Sequence, residues 1–271
     1  MNFIKKMLFC LIFFAASNLS AGFECEVAVC AVFKDEGPYL REWVLFHMAQ
    51  GVQRFYLYDN FSCDHMLWNL EDLVCSGIVK IIPWPFDYCD CRGFDEMRCC
   101  AYMNCIENIR NKVRWCAFLD CNEFLFLKSC FPLNVFLKKF KEYGAVAVNR
   151  QVFGTSNIPI APCGKLIQTL FWKCHPKHNC CKAVKLIVQP KYVVSCISPR
   201  HFIFKIGKLC VNAKKKELID GKCKDICVDK ICINHYIFRD LKYYHTFLHR
   251  TICCYCHECC GLDFCFYDDC I

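Results

Sequence analysis

The 271-residue sequence predicts an α/β protein with a mainly parallel sheet and helices on both of its faces. Three observations lead there: apolar runs of strand length, helical periodicity in the segments between them, and Gly, Pro or Asp breaks at the joints. With 56% apolar residues, 25 Phe and 12 Tyr, a disordered or fibrous chain is excluded. No internal repeat or long flexible linker divides the chain, so the sequence reads as one domain with an elaborated C-terminal half.

The elements follow in order. Residues 25–33 (CEVAVCAVF) form a near-continuous apolar run, the pattern of a strand buried on both faces. Lys34-Asp35-Glu36-Gly37 breaks it, and Pro38 suits the first helical position. Leu40, Trp43, Val44 and His47 then share one helical face until Gly51 stops the helix. Phe55 to Tyr58 is a second strand ending in Asp59-Asn60. Leu67 to Cys75 has helical character, and Gly77 ends it. Val79 to Ile82 is a third strand closed by Pro83-Trp84-Pro85. Residues 95–110 are helical by period, and Trp115 to Leu119 is a fourth strand ending in Asp120. Pro132 to Tyr143 is a further helix and Ala145 to Val148 a further strand. After residue 150 the pattern loosens into shorter strands and Lys-rich turns such as Lys214-Lys215-Lys216.

The two ends of the chain differ from this pattern. Residues 1–21 read as a secretory signal: Lys5 and Lys6, an apolar stretch from Met7 to Ala16, then Leu19-Ser20-Ala21 as a cleavage site. That stretch would rise only about 15 Å as a helix, half a bilayer core, so export is expected rather than a stable membrane span. The location would be secreted, periplasmic or a Golgi-like lumen, with anchoring by an uncleaved leader as the alternative. The domain would then span residues 22–250, followed by a cysteine-rich tail over 251–271.

The formal charge is +8, from 34 basic and 26 acidic residues. Removing the leader's two lysines lowers it to about +6, too evenly spread to call for nucleic acid. There are 29 cysteines, and 28 without Cys10. In an exported chain some would pair as disulfides. Cys30 and Cys116 lie in apolar runs, where Cys acts as a small hydrophobe. Cys253, Cys254, Cys256, Cys259, Cys260 and His257 in the tail have zinc-ligand spacing, although behind a leader disulfides are the competing fate.

In a parallel sheet, ligands bind at the carboxyl ends of the strands. That rim collects Lys34-Asp35-Glu36, Asp59-Asn60, Trp84 and Asp120-Cys121-Asn122-Glu123. A carboxylate cluster directly after a buried strand suits a hard divalent cation set against ligand phosphates. Equally, an acidic residue at a strand end is an ordinary loop feature.

Two long blocks carry a resemblance to a known family. They are Phe33 to Trp43 (FKDEGPYLREW) with His47, Gly51-Val52 and Phe55 to Ser62 (FYLYDNFS), and Trp115 to Phe124 (WCAFLDCNEF). Trp84-Pro85, Ala101-Tyr102, Phe153 to Ser156 and Ile233 to Tyr236 are the shorter matches, in order along the chain. From about residue 26 to 250 the sequence resembles glycosyltransferase family 92. The resemblance implies a GT-A fold, a divalent metal (Mn²⁺ or Mg²⁺), a nucleotide-sugar donor and a glycan or glycoconjugate acceptor. It also implies inverting transfer of a hexose, with galactose from UDP-galactose favoured.

Carried over by residue, Asp59 falls where a strand-end carboxylate contacts the nucleotide. Asp120 matches the first Asp of the Asp-x-Asp metal motif, Asn122 stands at the second, and His235 is a candidate third metal contact. Lys34 is a candidate for the phosphate charge, with a water-facing role as the alternative. Glu123 is the candidate general base, and Asp95 and Glu96 are its rivals. Asn122 departs from the family pattern: an amide can offer an oxygen to a metal, but one negative charge is lost. Two other readings stay open at this stage, a catalytically silent nucleotide- or sugar-binding relative and a cysteine-rich structural protein.

Overall fold

A computed structural model describes residues 23–64, 69–87, 91–218 and 225–245. The expected leader and the cysteine-rich tail lie outside the described residues. The elements are β1 (Cys25–Phe33), α1 (Gly37–Ala49), β2 (Arg54–Asp59), α2 (Glu71–Cys75), β3 (Val79–Pro83), α3 (Cys91–Ile109) and β4 (Val113–Phe118). They continue with β5 (Glu123–Leu127), α4 (Leu133–Leu137), β6 (Ala145–Val152), α5 (Leu166–Thr169) and β7 (Val184–Val188). The series closes with β8 (Val193–Ser198), β9 (His201–Phe204), β10 (Cys210–Asn212) and β11 (Ile231–His235). Among these residues no helix is long and apolar enough to cross a membrane.

One nine-stranded sheet organises the molecule, in the order β3-β2-β1-β4-β7-β6-β11-β5, with β10 on β6. The first four strands are mutually parallel, as the βα alternation requires. Beyond β4 the sheet is mixed: β7 runs antiparallel to β4 and β6, and β11 is parallel to β6 but antiparallel to β5. This is the α/β architecture with a mainly parallel sheet expected from the sequence.

Each face has its own core because strand side chains alternate. On β1, Val27, Val29, Ala31 and Phe33 join one apolar cluster with Leu40, Trp43 and Val44 of α1. The intervening Ala28 and Cys30 join a second, with Ala101, Tyr102, Cys105 and Ile106 of α3. β4 divides in the same way, Trp115 and Ala117 to the first and Cys116 and Phe118 to the second. Cys30 and Cys116 are completely buried, serving as the small hydrophobes their context predicts. No disulfide joins two described cysteines.

Several boundaries differ from the sequence reading. The helix expected over 67–75 is ordered only as Glu71–Cys75 among the described residues, and that expected over 132–143 is Leu133–Leu137 continued by a 3₁₀ turn, Lys138–Phe140. Conversely, α3 starts earlier than residue 95 and β6 runs on to Val152. Gly51 does end α1, with φ +99°, and a Cβ there would meet Pro132 Cβ at 2.9 Å. Only glycine meets both demands.

Candidate active site

The loops that follow β1, β2 and β3 are tied to one another before any ligand is considered. Ser62 Oγ accepts the Asp35 N–H (2.9 Å), Asp35 Oδ1 accepts the Cys63 N–H (2.7 Å), and Asp64 Oδ2 accepts the Gly37 N–H (2.6 Å). Asn60 donates to the carbonyls of Trp84 (3.0 Å) and Phe86 (2.8 Å). Asp59 accepts the Ser62 N–H at 3.0 Å, so one of its oxygens shapes the turn. Lys34 is exposed. Behind this rim, buried Arg239 pairs with partly buried Glu36, and the guanidinium lies 4.9 Å and 4.6 Å from the Tyr39 and Tyr243 ring centres.

At the end of β4 the chain makes a tight turn into β5. The Glu123 N–H donates to the Asp120 carbonyl (3.0 Å), and the Asp120 N–H donates to Glu123 Oε2 (2.9 Å). Helix α1 braces this turn from below. Trp43 Nε1 donates to the Glu123 carbonyl at 2.7 Å, and His47 Nε2 accepts the Leu125 N–H at 3.0 Å. Nδ1 of His47 faces the Trp43 carbonyl at 2.8 Å, which places the ring proton there and leaves Nε2 as acceptor. Burial lowers the pKa of His47 to about 3, consistent with a neutral ring.

Asp120 is surrounded by cations. Lys185 Nζ of β7 lies 2.8 Å from Oδ2, and the Arg98 guanidinium of α3 lies 3.2 Å from Oδ1. Lys185 also reaches Glu123 Oε2 at 3.2 Å, and Arg98 pairs with Asp95 on its own helix. Burial opposes the Asp120 charge, but the Lys185 and Arg98 charges overcome it and hold the carboxyl well below the usual range. Glu123 is pushed up by burial, which outweighs the same lysine. Its side chain is 2% exposed, against 31% for Asp120. Asp120 is thus the carboxylate that meets solvent, and Glu123 lies beneath it.

His235 pairs in register with Glu123 across β11 and β5. Its Nδ1 faces the Arg150 guanidinium at 3.3 Å. Burial and then Arg150 lower its proton affinity, with Asp120 acting in the opposite sense. The structure therefore draws Asp120, Glu123 and His235 into one neighbourhood, whereas Lys34 and Asp59 belong to the loops along the same rim. Sequence reasoning missed Arg98, Arg150 and Lys185. For Lys185 a signal existed, since a lone lysine inside VKLIV (184–188) is an anomaly in a buried strand. Arg98 stands three residues after Asp95, an ordinary surface-pair spacing, and Arg150 carried no mark.

For the divalent ion implied by the resemblance, the donors divide. Asn122 Oδ1 is buried without a hydrogen-bond partner, the state of an oxygen open to a further contact. Both Asp120 oxygens, however, already face cations, and His235 Nδ1 faces Arg150. Among the described residues, Asp120, Glu123 and His235 do not bring three ligand atoms within 4.8 Å of one another. As a set they do not fit an ion held by the protein alone. Unpartnered buried polar atoms do gather along this side: Trp84 Nε1, Arg98 Nε and Tyr102 Oη besides Asn122 Oδ1.

Comparison with known proteins gives this site its context. A glycosyltransferase family 92 protein of Ricinus communis is 25% identical over 240 residues, covering 85% of this chain and 38% of that relative. One from Arabidopsis thaliana is 24% identical over 202 residues, covering 69% and 33%. The chain thus spans between a third and two fifths of the length of these curated relatives. Among solved structures, HddC from Yersinia pseudotuberculosis aligns with a TM-score of 0.38 at 11% identity, covering 84% of this chain and 99% of that one. S. aureus TarS 1–349 in complex with UDP aligns with a TM-score of 0.34 at 13% identity, covering 47% and 36%. The family model named glycosyltransferase family 92 matches residues 24–223, which include Lys34, Asp59, Asp120, Asn122 and Glu123 but not His235. On that match, the chain belongs to glycosyltransferase family 92.

Proposed function

We propose that this domain transfers a hexosyl group, galactose being favoured, from a UDP-sugar to a hydroxyl of a glycan or glycoconjugate, with inversion at the anomeric carbon. The observation that carries the reading is the Asp120–Arg98–Lys185 cluster at the carboxyl ends of the strands in a family 92 chain. Fixed guanidinium and ammonium groups in a partly dry site can stabilise the charge that develops on a leaving diphosphate. Arg98 and Lys185 are assigned that part. Asp120 orients both, and Lys34 and Asp59 are assigned to the nucleotide end. Inverting displacement needs one group to accept the acceptor's hydroxyl proton. Glu123 and Asp95 are the candidates, the first buried against Lys185 and the second paired with Arg98.

Asn122 Oδ1 favours a second reading, in which Mn²⁺ or Mg²⁺ enters together with the diphosphate. One experiment tests both: UDP release by the purified chain with a panel of UDP-sugars, with Mn²⁺ and then with chelator. Turnover that survives chelation supports the cation-pair reading, and turnover abolished by it supports the metal reading. Asp120→Ala is expected to lower turnover about a hundredfold or more, by loss of electrostatic organisation at the reacting centre. A folded protein that binds UDP yet releases none from any donor would overturn the enzymatic proposal. Export, the leader and the tail boundary belong to this proposal: recovery from the medium and the mature N-terminus test the first two, and limited proteolysis near residue 250 tests the third.

A further inference from the structure

The connection between β6 and β7 contains three cysteines that the transferase reading leaves unused. Cys174, Cys180 and Cys181 have Sγ–Sγ separations of 3.2 Å (174–180), 3.3 Å (174–181) and 3.9 Å (180–181). Among the described His, Cys, Asp and Glu residues, they are the one group of three whose ligand atoms all lie within 4.8 Å. All three residues are buried, at 2%, 9% and 0% exposure, in a small apolar nest with Val152 and Phe238. His178 Nδ1 stands 3.1 Å from Cys180 Sγ and accepts the Cys180 N–H at 3.3 Å, so its imidazole borders the three sulfurs without belonging to their 4.8 Å group.

The backbone holds this arrangement firmly. Cys174 N–H donates to the Val152 carbonyl (3.0 Å), and Cys181 N–H donates to the His178 carbonyl (2.9 Å) at the start of a 3₁₀ turn, Asn179–Lys182. Asn149 Nδ2 donates to the Cys181 carbonyl (3.1 Å), and Arg150 Nε donates to the Cys180 carbonyl (2.9 Å).

Two explanations compete for three sulfurs in mutual contact. A disulfide consumes two of them and leaves the third buried beside it, while a bridge between adjacent Cys180 and Cys181 is strained. A tetrahedral thiolate site uses all three: with Zn–S bonds of about 2.3 Å, its sulfurs stand about 3.8 Å apart. Two of the observed separations, 3.2 and 3.3 Å, lie below that value and the third, 3.9 Å, just above it, so the sulfurs need move apart only by about half an ångström to seat the ion. Soft thiolate sulfur selects zinc over hard cations, and imidazole is its usual companion. From these positions we propose that Cys174, Cys180 and Cys181 bind a structural zinc ion, the bordering imidazole of His178 turning in from the 3₁₀ turn to complete its shell. Binding releases the thiol protons to solvent as the thiolates form.

Such an ion would clamp the segment that sets the cations of the strand-end site. Arg150, anchored on the Cys180 carbonyl, is the residue that faces His235. β7, which carries Lys185, begins directly beyond the turn.

The test uses the full chain with the tail cysteines from Cys253 to Cys270 changed to serine, so that they contribute no ligand. It is purified under reducing conditions with zinc supplied, then desalted. Elemental analysis is expected to find about one zinc per chain, and X-ray absorption to find sulfur ligands at about 2.3 Å with one nitrogen. Cys174→Ser and Cys181→Ser should each reduce zinc retention more than tenfold. Absence of zinc, or a mapped disulfide between any two of the three cysteines, would overturn the proposal. Should the serine variants not fold, native-state alkylation of the unaltered chain decides. Modification of Cys174, Cys180 and Cys181 that rises sharply on adding a chelator supports the site, and modification indifferent to it rejects the site.

Discussion

A lysine whose side chain is 5% exposed, 2.8 Å from one carboxylate and 3.2 Å from another, has consequences for stability as well as charge. Removing one member of a buried ion group leaves its partners uncompensated. Lys185→Met is therefore expected to destabilise the fold by about 3 kcal/mol, read as a lower urea midpoint. Adding Glu123→Gln should recover part of that loss, because one of the stranded charges is gone; strict additivity in this double-mutant cycle would refute the coupling.

The buried histidines set the acid limb of stability. His47 titrates near 6.5 when unfolded and about 3 when folded. Between those values the unfolded chain takes up a proton that the fold refuses, so stability falls as pH drops through the window. The slope reaches up to about 1.4 kcal/mol per pH unit for each such group, and His235 acts in the same direction. Glu36 and Glu123, whose proton affinities are raised, pull the other way above pH 4.5. The histidine share is therefore read by difference: between pH 6.5 and 5, His47→Gln should flatten the melting-temperature slope relative to the unaltered chain.

At the scale of single elements, α1 is the brace of the site as well as a core helix. Trp43 reaches across to the Glu123 carbonyl and His47 to the Leu125 N–H, so the start of β5 rests on two side chains from one helical face. Trp43→Phe keeps a ring in the core but strands a buried carbonyl. The expected cost is about 2 kcal/mol in denaturant unfolding; an unchanged midpoint would show that the indole bond contributes nothing. This face was legible in the sequence, where Leu40, Trp43, Val44 and His47 recur at helical spacing before Gly51. β5 was not, because no glycine or proline separates it from β4. The whole of Asp120 to Glu123 reads as a loop, whereas Glu123 already opens the next strand. Likewise β7 hides its strand pattern behind Lys185, and the partner that makes a charge tolerable there is distant in sequence.

Across the whole molecule the legible half is the N-terminal one. β1, β2, β3 and β4 are local βα units, each read from its own residues, and the two-faced core follows from alternation along them. The C-terminal half is held by pairings between distant segments, which single-segment patterns cannot reveal. For the same reason the site was half legible. Asp120, Asn122 and Glu123 lie together on one turn, but Lys185, Arg150 and His235 reach them only through the sheet order. The family resemblance supplied His235; the structure adds that an arginine stands beside it.

The insertion of β11 between β6 and β5 has a consequence for biogenesis. A ribosome delivers β5, with its Phe124-Leu125-Phe126-Leu127 run, long before it delivers the strand that joins β5 to the rest of the sheet. Until then the nascent chain presents an apolar edge with unsatisfied backbone groups, the kind of surface that recruits chaperones or other nascent chains. A message truncated ahead of Ile231 would leave that edge permanently open, and its product would aggregate even with every residue from Lys34 to Lys185 in place.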